Sequence, residues 1–248
     1  MGGKYELRQQ IGKGGMGQVF EAWDHTLERR VAIKKMAAEI KDTPKLRERF
    51  LQEAKIFSHL SHPFIVSIHE IVQEGGEIYL VFDFVEGRPL SLILEEKGRL
   101  GFAECRGVFR SVCQAVDHAH RAKVLHRDIK PSNIMLDVHG LARIMDFGVA
   151  REAKDPVTRP TRHDASGTPV YMAPEQHLGT ATRASDVFSL GVCLYECLAG
   201  EVPFKGPDYL AQKERVHYKP LSGLVPGLPA GLDALMDRIA AALQRDGV

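Results

Sequence analysis

The sequence predicts an α+β chain in two parts: a small antiparallel sheet with one main helix, then a larger and mostly helical remainder. Three observations predict it. Short runs rich in β-branched and aromatic residues, punctuated by glycine or charge, fill the first third. Apolar residues recur at helical spacing after Gly87. No internal repeat, low-complexity tract or long linker separates the two patterns. The division therefore falls near Val85–Gly87, giving parts of about residues 1–85 and 86–248, with a cleft expected between them.

The elements follow in order. Tyr5–Ile11, Gln18–Trp23 and Arg30–Met36 read as strands. Thr43 then suits a helix N-cap and Pro44 the first helical position. Phe50, Ala54, Phe57 and Leu60 continue that helix at helical spacing. Ile65–Val72 and Glu77–Val85 read as strands joined at the turn Gln73-Glu74-Gly75-Gly76. In the second part, Val108, Val112, Ala115, Val116 and Ala119 mark one helix, and Val187–Leu198 and Leu232–Leu243 mark two more. The stretch from Arg151 to Ser166 is polar and aperiodic, and loops of that length tend to be functional.

Composition narrows the function classes. A chain of 248 residues can bury a core without disulfides or metals. Hydrophobic residues at 44% and charged residues at 26% exclude wholesale disorder and a disulfide-knit scaffold. Lys plus Arg total 33 against 32 for Asp plus Glu, so electrostatics argues for neither nucleic acid nor an anionic membrane as the main partner. Cys105, Cys113, Cys193 and Cys197 contain no C-x-x-C pair, which fits a reducing cytosol. MGGKYELRQQ has no apolar signal core, and Glu6 stands where N-myristoylation wants Ser or Thr. The run Val187–Ala199 is too short and too polar to span a bilayer. A cytoplasmic location is expected of this chain.

Four strings carry chemistry. Gly12-Lys13-Gly14-Gly15-Met16-Gly17 can lie close over a phosphate chain because glycine has no Cβ. Alone it is weak evidence, with a flexible hairpin tip as the alternative; a following strand, not a helix, disfavours a dinucleotide-binding fingerprint. In Val31-Ala32-Ile33-Lys34, a lysine inside an apolar strand should direct its charge to a partner, and Glu53 on the first helix could supply one. The alternative is a solvated lysine on the outer strand face. In His126-Arg127-Asp128-Ile129-Lys130-Pro131-Ser132-Asn133, Asp128 can orient a hydroxyl and accept its proton. Lys130 can neutralise a moving phosphoryl group, and Asn133 can hold a metal ion. Asp146-Phe147-Gly148 adds a second hard oxygen ligand, as magnesium prefers.

Together with Ala173-Pro174-Glu175, these strings stand in the order and with the gaps of one family. The chain resembles the eukaryotic-like (Hanks-type) protein kinases, in the bacterial Ser/Thr branch, from about Tyr5 onward. The resemblance implies a bilobal protein-kinase-like fold and transfer of the ATP γ-phosphate to protein hydroxyls. It implies Lys34 on the α- and β-phosphates and paired with Glu53, Asp128 as base, Lys130 as neutralising cation, and Asn133 and Asp146 as ligands of Mg2+, with Mn2+ as substitute. It implies a nucleotide pocket of Ile11, Gly12, Gly14, Gly17, Val19, Ala32 and Met135, with the backbone of Asp83 and Val85 on the adenine edge and Phe82 behind it. Phe57, Ile68, His126 and Phe147 match the apolar stack that aligns the lobes, which makes His126 a packed histidine. Lys130 and Gly167–Glu175 match the Ser/Thr pattern, with Thr168 near Asp128 and Lys130. Asp186 matches the helix aspartate that braces the catalytic loop; a simple helix cap is the alternative.

Regulation is implied too. Arg127 matches the arginine that grips an activation-loop phosphate, with Thr158, Thr161 and Ser166 as acceptors and Thr161 favoured. Autophosphorylation through a transient homodimer is expected. The sequence departs from the family at its end: Gly247 follows Asp246 where the family has proline, and the family's later arginine is absent. The kinase domain therefore reads as truncated, the full-length protein could carry a membrane anchor, and Glu175 is expected to lack its usual partner. Two other readings compete. A pseudokinase or nucleotide-binding scaffold should have lost Lys34, Asp128 or Asp146, and none is lost. A small-molecule kinase should lack the segment ending at Ala173-Pro174-Glu175.

Overall fold

The computed structural model describes residues 1–14, 17–147 and 168–241. The chain divides into two compact units, one comprising Met1–Glu86 and the other containing Gly87–Phe147 and the described residues from Thr168 onward. Among the described residues, no helix is long and apolar enough to cross a membrane.

The first unit is a five-stranded antiparallel sheet with helices on one face. Its strands are β1 (Tyr5–Gly14), β2 (Gly17–Asp24), β3 (Arg29–Met36), β4 (Ile68–Glu74) and β5 (Glu77–Asp83), in spatial order β1-β2-β3-β5-β4. Alternation along β3 decides which side chain goes where. Val31 and Ile33 enter a cluster with Tyr5, Ala22 and Val81. Met36 points the other way, into a cluster with Phe50, Ala54, Ile68, Ile78 and Leu80. The β4–β5 turn carries positive φ at both Gly75 and Gly76, the conformation a two-residue hairpin loop needs.

The helix begun by Pro44 is α2 (Pro44–Ser58). Thr43 occupies its N-cap position without a side-chain capping bond, and a five-residue helix, α1 (Ala38–Asp42), precedes it. That short helix, anchored by buried Ile40, is an addition to the one helix expected here. The fourth strand starts at Ile68, three residues later than its apolar run; Ile65, an isolated bridge residue, and Val66 are buried before it without joining the ladder.

The second unit is mainly helical. It holds β6 (Gly87–Pro89), α3 (Leu90–Lys97), α4 (Phe102–Arg121), β7 (Ile134–Asp137), β8 (Ala142–Ile144), α5 (Arg183–Ala199), α6 (Tyr209–Glu214) and α7 (Leu232–Ala241). The three short strands form an antiparallel sheet in the order β6-β7-β8. α4 buries Cys105, Val108, Val112, Ala115 and Ala119 along one face and packs on β8 and α5. α5 is buried around most of its circumference, and the reciprocal Thr182–Ser185 bonds cap its start. Cys193 and Cys197 are buried free thiols within it, acting as small apolar residues. Gly191 lets α7 approach: a Cβ there would lie 2.5 Å from Ile239 Cγ2.

Candidate active site

The first unit positions its candidates through strand register. Gly12 pairs with Val19 and Gly14 with Gly17, so the glycines belong to the β1–β2 hairpin. Gly17 has φ +138°, and a Cβ on it would meet the Lys35 carbonyl oxygen at 2.0 Å. Only glycine fits there. Gly12 and Gly14 have room for a methyl group, Gly14 with nothing within 4 Å. Ile11 is exposed, while Val19 and Ala32 are half-buried. Gly15 and Met16 lie outside the described residues.

Lys34 lies two residues before Met36 on β3, so it shares the sheet face that α2 covers. It is buried, and so is Glu53 on α2. The Arg49 guanidinium Nε lies 3.7 Å from Glu53 Oε1, one helical turn away. Phe57 packs against the cluster that joins α2 to the sheet. At the end of β5, Phe82 packs on that same cluster. The Asp83 N–H donates to the Ser67 carbonyl at 3.1 Å, and its Oδ1 lies 2.7 Å from His69 Nε2. Val85 follows, half-buried.

In the second unit, the segment from His126 to Asn133 has no regular ladder, so its backbone depends on side chains. Asp186, 1% exposed on α5, supplies the main support. Its Oδ2 accepts from the His126 N–H at 2.8 Å and its Oδ1 from the Arg127 N–H at 2.7 Å. His120 Nε2, on α4, lies 2.7 Å from the same Oδ2. Asp186 therefore braces the loop and is no cap, since Thr182 and Ser185 perform the capping. Arg127 takes φ +66°, a conformation an L side chain adopts at a cost, and the two bonds to Asp186 hold it there.

His126 is fully buried, its ring centroid 4.6 Å from that of Phe147 with the planes tilted by 42°. Its Nε2 lies 3.0 Å from the Met145 carbonyl, and its Nδ1 accepts from the Asp128 N–H at 3.2 Å. One nitrogen must donate and the other accept, which defines a neutral ring. Burial pushes its pKa below the ordinary value in agreement. It is a structural residue, not a proton shuttle.

Asp128, Lys130 and Asn133 meet within this frame. Asp128 is buried. Lys130 Nζ lies 2.9 Å from Asp128 Oδ2. Asn133 donates its Nδ2–H to the Asp128 carbonyl at 2.7 Å and to Asp128 Oδ2 at 3.2 Å. With the amide nitrogen so engaged, the side-chain oxygen is the Asn133 atom left to ligate a cation. The Met145 N–H donates to the Asn133 carbonyl at 2.9 Å, tying Asp146 to the same frame one residue on. Asp146 has φ +58°. Met135 lies on β7, opposite Pro89 and Arg143. Gly148, Thr158, Thr161, Ser166, Gly167 and the terminal residues Asp246 and Gly247 lie outside the described residues, as does the Thr168 side chain.

Sequence reasoning passed over Gln176. Its Oε1 accepts from the Ala173 N–H at 2.9 Å and its Nε2–H donates to the Arg127 carbonyl at 3.1 Å, linking the segment before Pro174 to the loop of Asp128. One expectation, the cost of a buried Glu175 carboxylate without a partner, needs correction. Glu175 has a partner: Ser185 Oγ–H donates to its Oε1 at 2.5 Å. The carboxylate is also only half-buried, so the anticipated penalty does not arise.

The loop braced by Asp186 thus gathers a lysine and an asparagine around one buried carboxylate, that of Asp128. Residues 5–222 match the protein kinase domain family, and the chain belongs to that family, in its bacterial Ser/Thr branch. It is similar to the serine/threonine-protein kinase PknA of Mycobacterium tuberculosis, with 39% identity over 244 residues, 96% of this chain and 56% of that protein. It is similar also to the probable serine/threonine-protein kinase PknB of Bifidobacterium longum, 37% identical over 97% of this chain and 37% of that protein. PknE of Mycobacterium bovis is 34% identical over 95% of this chain and 42% of its own length. The chain thus spans about half the length of these relatives, or less. The protein kinase family in general uses ATP with a divalent metal.

Proposed function

We propose that this chain transfers the γ-phosphoryl group of ATP to Ser and Thr hydroxyls of proteins. The observation that carries the reading is the contact group of Asp128, Lys130 and Asn133 on a backbone held by Asp186. The acceptor oxygen attacks the γ-phosphorus, the bond from that phosphorus to the β,γ-bridging oxygen breaks, ADP leaves, and the hydroxyl proton passes to Asp128. In a loose transition state the base chiefly orients the hydroxyl, so a fixed carboxylate matters more than a strong one. Lys130 brings positive charge beside Asp128, where charge on the transferred group builds up.

Asn133 and Asp146 would hold Mg2+, or Mn2+ in its place. Magnesium takes few protein oxygens and completes its shell with phosphate and water, and one amide oxygen with one carboxylate suits that. The ion would neutralise charge on the β- and γ-phosphates. Lys34, fixed through Glu53, acts on the α- and β-phosphates; Ile11, Gly12, Gly14, Gly17, Val19, Ala32 and Met135 contact the nucleotide, with the Asp83 and Val85 backbone on the adenine edge. The segment from Thr168 to Ala173 receives the acceptor. Arg127 grips phosphate on Thr158 or Thr161 after autophosphorylation in a transient homodimer. The four free thiols suit a reducing cytoplasmic setting.

The test is mass spectrometry of the purified chain after incubation with ATP and Mg2+. The reading expects phosphoryl groups on Ser or Thr, with Thr161 first, and none without ATP. Tight nucleotide binding without any phosphoryl incorporation, even with an added acceptor, would instead make the chain a nucleotide-binding scaffold.

A further inference from the structure

Lys213, on α6, is 2% exposed. An ammonium buried that deeply is costly unless its hydrogens are satisfied. Its Nζ lies 2.7 Å from the Pro169 carbonyl oxygen and 2.8 Å from that of Met172. The ring of Tyr209 lies 4.9 Å from it and that of Phe188 5.9 Å. Its polar partners among the described residues are thus two backbone carbonyls, both in the segment proposed above to receive the acceptor.

That segment has little regular structure and is held by side chains. Besides the two carbonyls on Lys213, the Tyr171 carbonyl accepts from Ser189 Oγ–H at 2.8 Å. The Tyr171 hydroxyl donates to Glu196 Oε2 at 2.7 Å. Gln176 ties the segment's end to the Arg127 carbonyl. Lys213 is the one group among these that joins two points of the segment, three residues apart, and so fixes its curvature. A methionine or leucine would fill the same volume without the desolvation cost, so packing alone does not account for a lysine. Burial pushes its pKa down to about 7. The neutral amine still has two hydrogens, one for each carbonyl.

We propose that Lys213 is a positioning residue for the protein acceptor, holding the carbonyls of Pro169 and Met172 so that the docking segment keeps the shape the acceptor meets. The proposal rests on the reading of Thr168–Ala173 as that segment. Lys213→Met in the full chain, assayed with myelin basic protein as acceptor, should raise the acceptor KM about tenfold and leave the KM for ATP within about twofold. Amide hydrogen exchange over residues 168–178 should quicken in the same variant, and Lys213→Arg, which keeps donors for both carbonyls, should recover part of both effects. Should Lys213→Met fail to fold, Tyr209→Leu removes the ring beneath the ammonium and should show the same pattern more weakly. An unchanged acceptor KM with unchanged exchange overturns the proposal, as does an equal rise in both KM values. If the wild-type chain phosphorylates nothing, the kinase reading fails; the exchange measurement still decides whether Lys213 braces the segment.

Discussion

The glycine-bearing hairpin β1–β2 and the loop from His126 to Asn133 are both assigned to phosphate, yet they are built in opposite ways. The first strand of the hairpin is largely exposed, its second half-buried, and their pairing is broken by register shifts between Leu7 and Gly12. The loop is mostly buried, and its backbone is bonded to Asp186, His126 and Asn133. The difference follows from what each contributes. Backbone that covers a ligand must come close and can move, so small residues and few contacts serve it. Side chains that act on reacting atoms must be fixed beforehand, so they sit on backbone held by hydrogen bonds.

The comparison breaks most readily at Asp186. Asp186→Ala leaves three donors around a buried hole, and we expect a stability loss of about 3–5 kcal/mol by denaturant titration. Phosphotransfer should fall with it, even at temperatures where the variant remains folded. A variant as stable and active as wild type would mean the loop needs no brace.

The hairpin predicts its own internal contrast. Gly17→Ala meets a backbone oxygen and a positive φ, which should cost about 1–3 kcal/mol. Gly14→Ala meets open space and should change stability by less than about 0.5 kcal/mol, altering at most the KM for ATP. Equal thermal shifts in the two variants would contradict the assigned geometry.

The loop also predicts a pH signature. His126 is buried neutral with a depressed pKa, so the unfolded chain binds its proton more readily. The stability it supports is complete above its ordinary pKa of about 6.5 and declines as pH falls below that value, by at most about 1.4 kcal/mol per pH unit. Thermal midpoints between pH 7.5 and pH 5.5, bounds chosen to bracket that ordinary pKa, should fall less steeply in His126→Phe than in wild type. Parallel profiles would mean His126 exchanges its proton freely in the fold.

Much of this was legible in the residues. The strands of the first unit follow from β-branched runs and the Gly75-Gly76 turn, and helical spacing locates α2, α4 and α5. Asp128, Lys130 and Asn133 stand within six residues, so one turn of chain brings them together. What escaped has a common cause. Gln176 and Lys213 bond to backbone carbonyls of distant residues, and a carbonyl has no residue type to betray it. His120 reaches Asp186 across 66 positions, with nothing in its helix to mark it out. The expected orphan at Glu175 came from looking only for a cation, when a serine hydroxyl ten residues on suffices. The short helix α1 precedes Thr43 with no capping side chain to announce it.

The central claim is that the braced loop is the phosphoryl-transfer machinery, and Asp128→Asn probes it with little change in shape. The measurement is kcat for phosphorylation of myelin basic protein beside the Kd for ATP, in wild type and variant. The account predicts a kcat lower by about 10²–10⁴-fold with ATP affinity retained. A variant that turns over at the wild-type rate would contradict it.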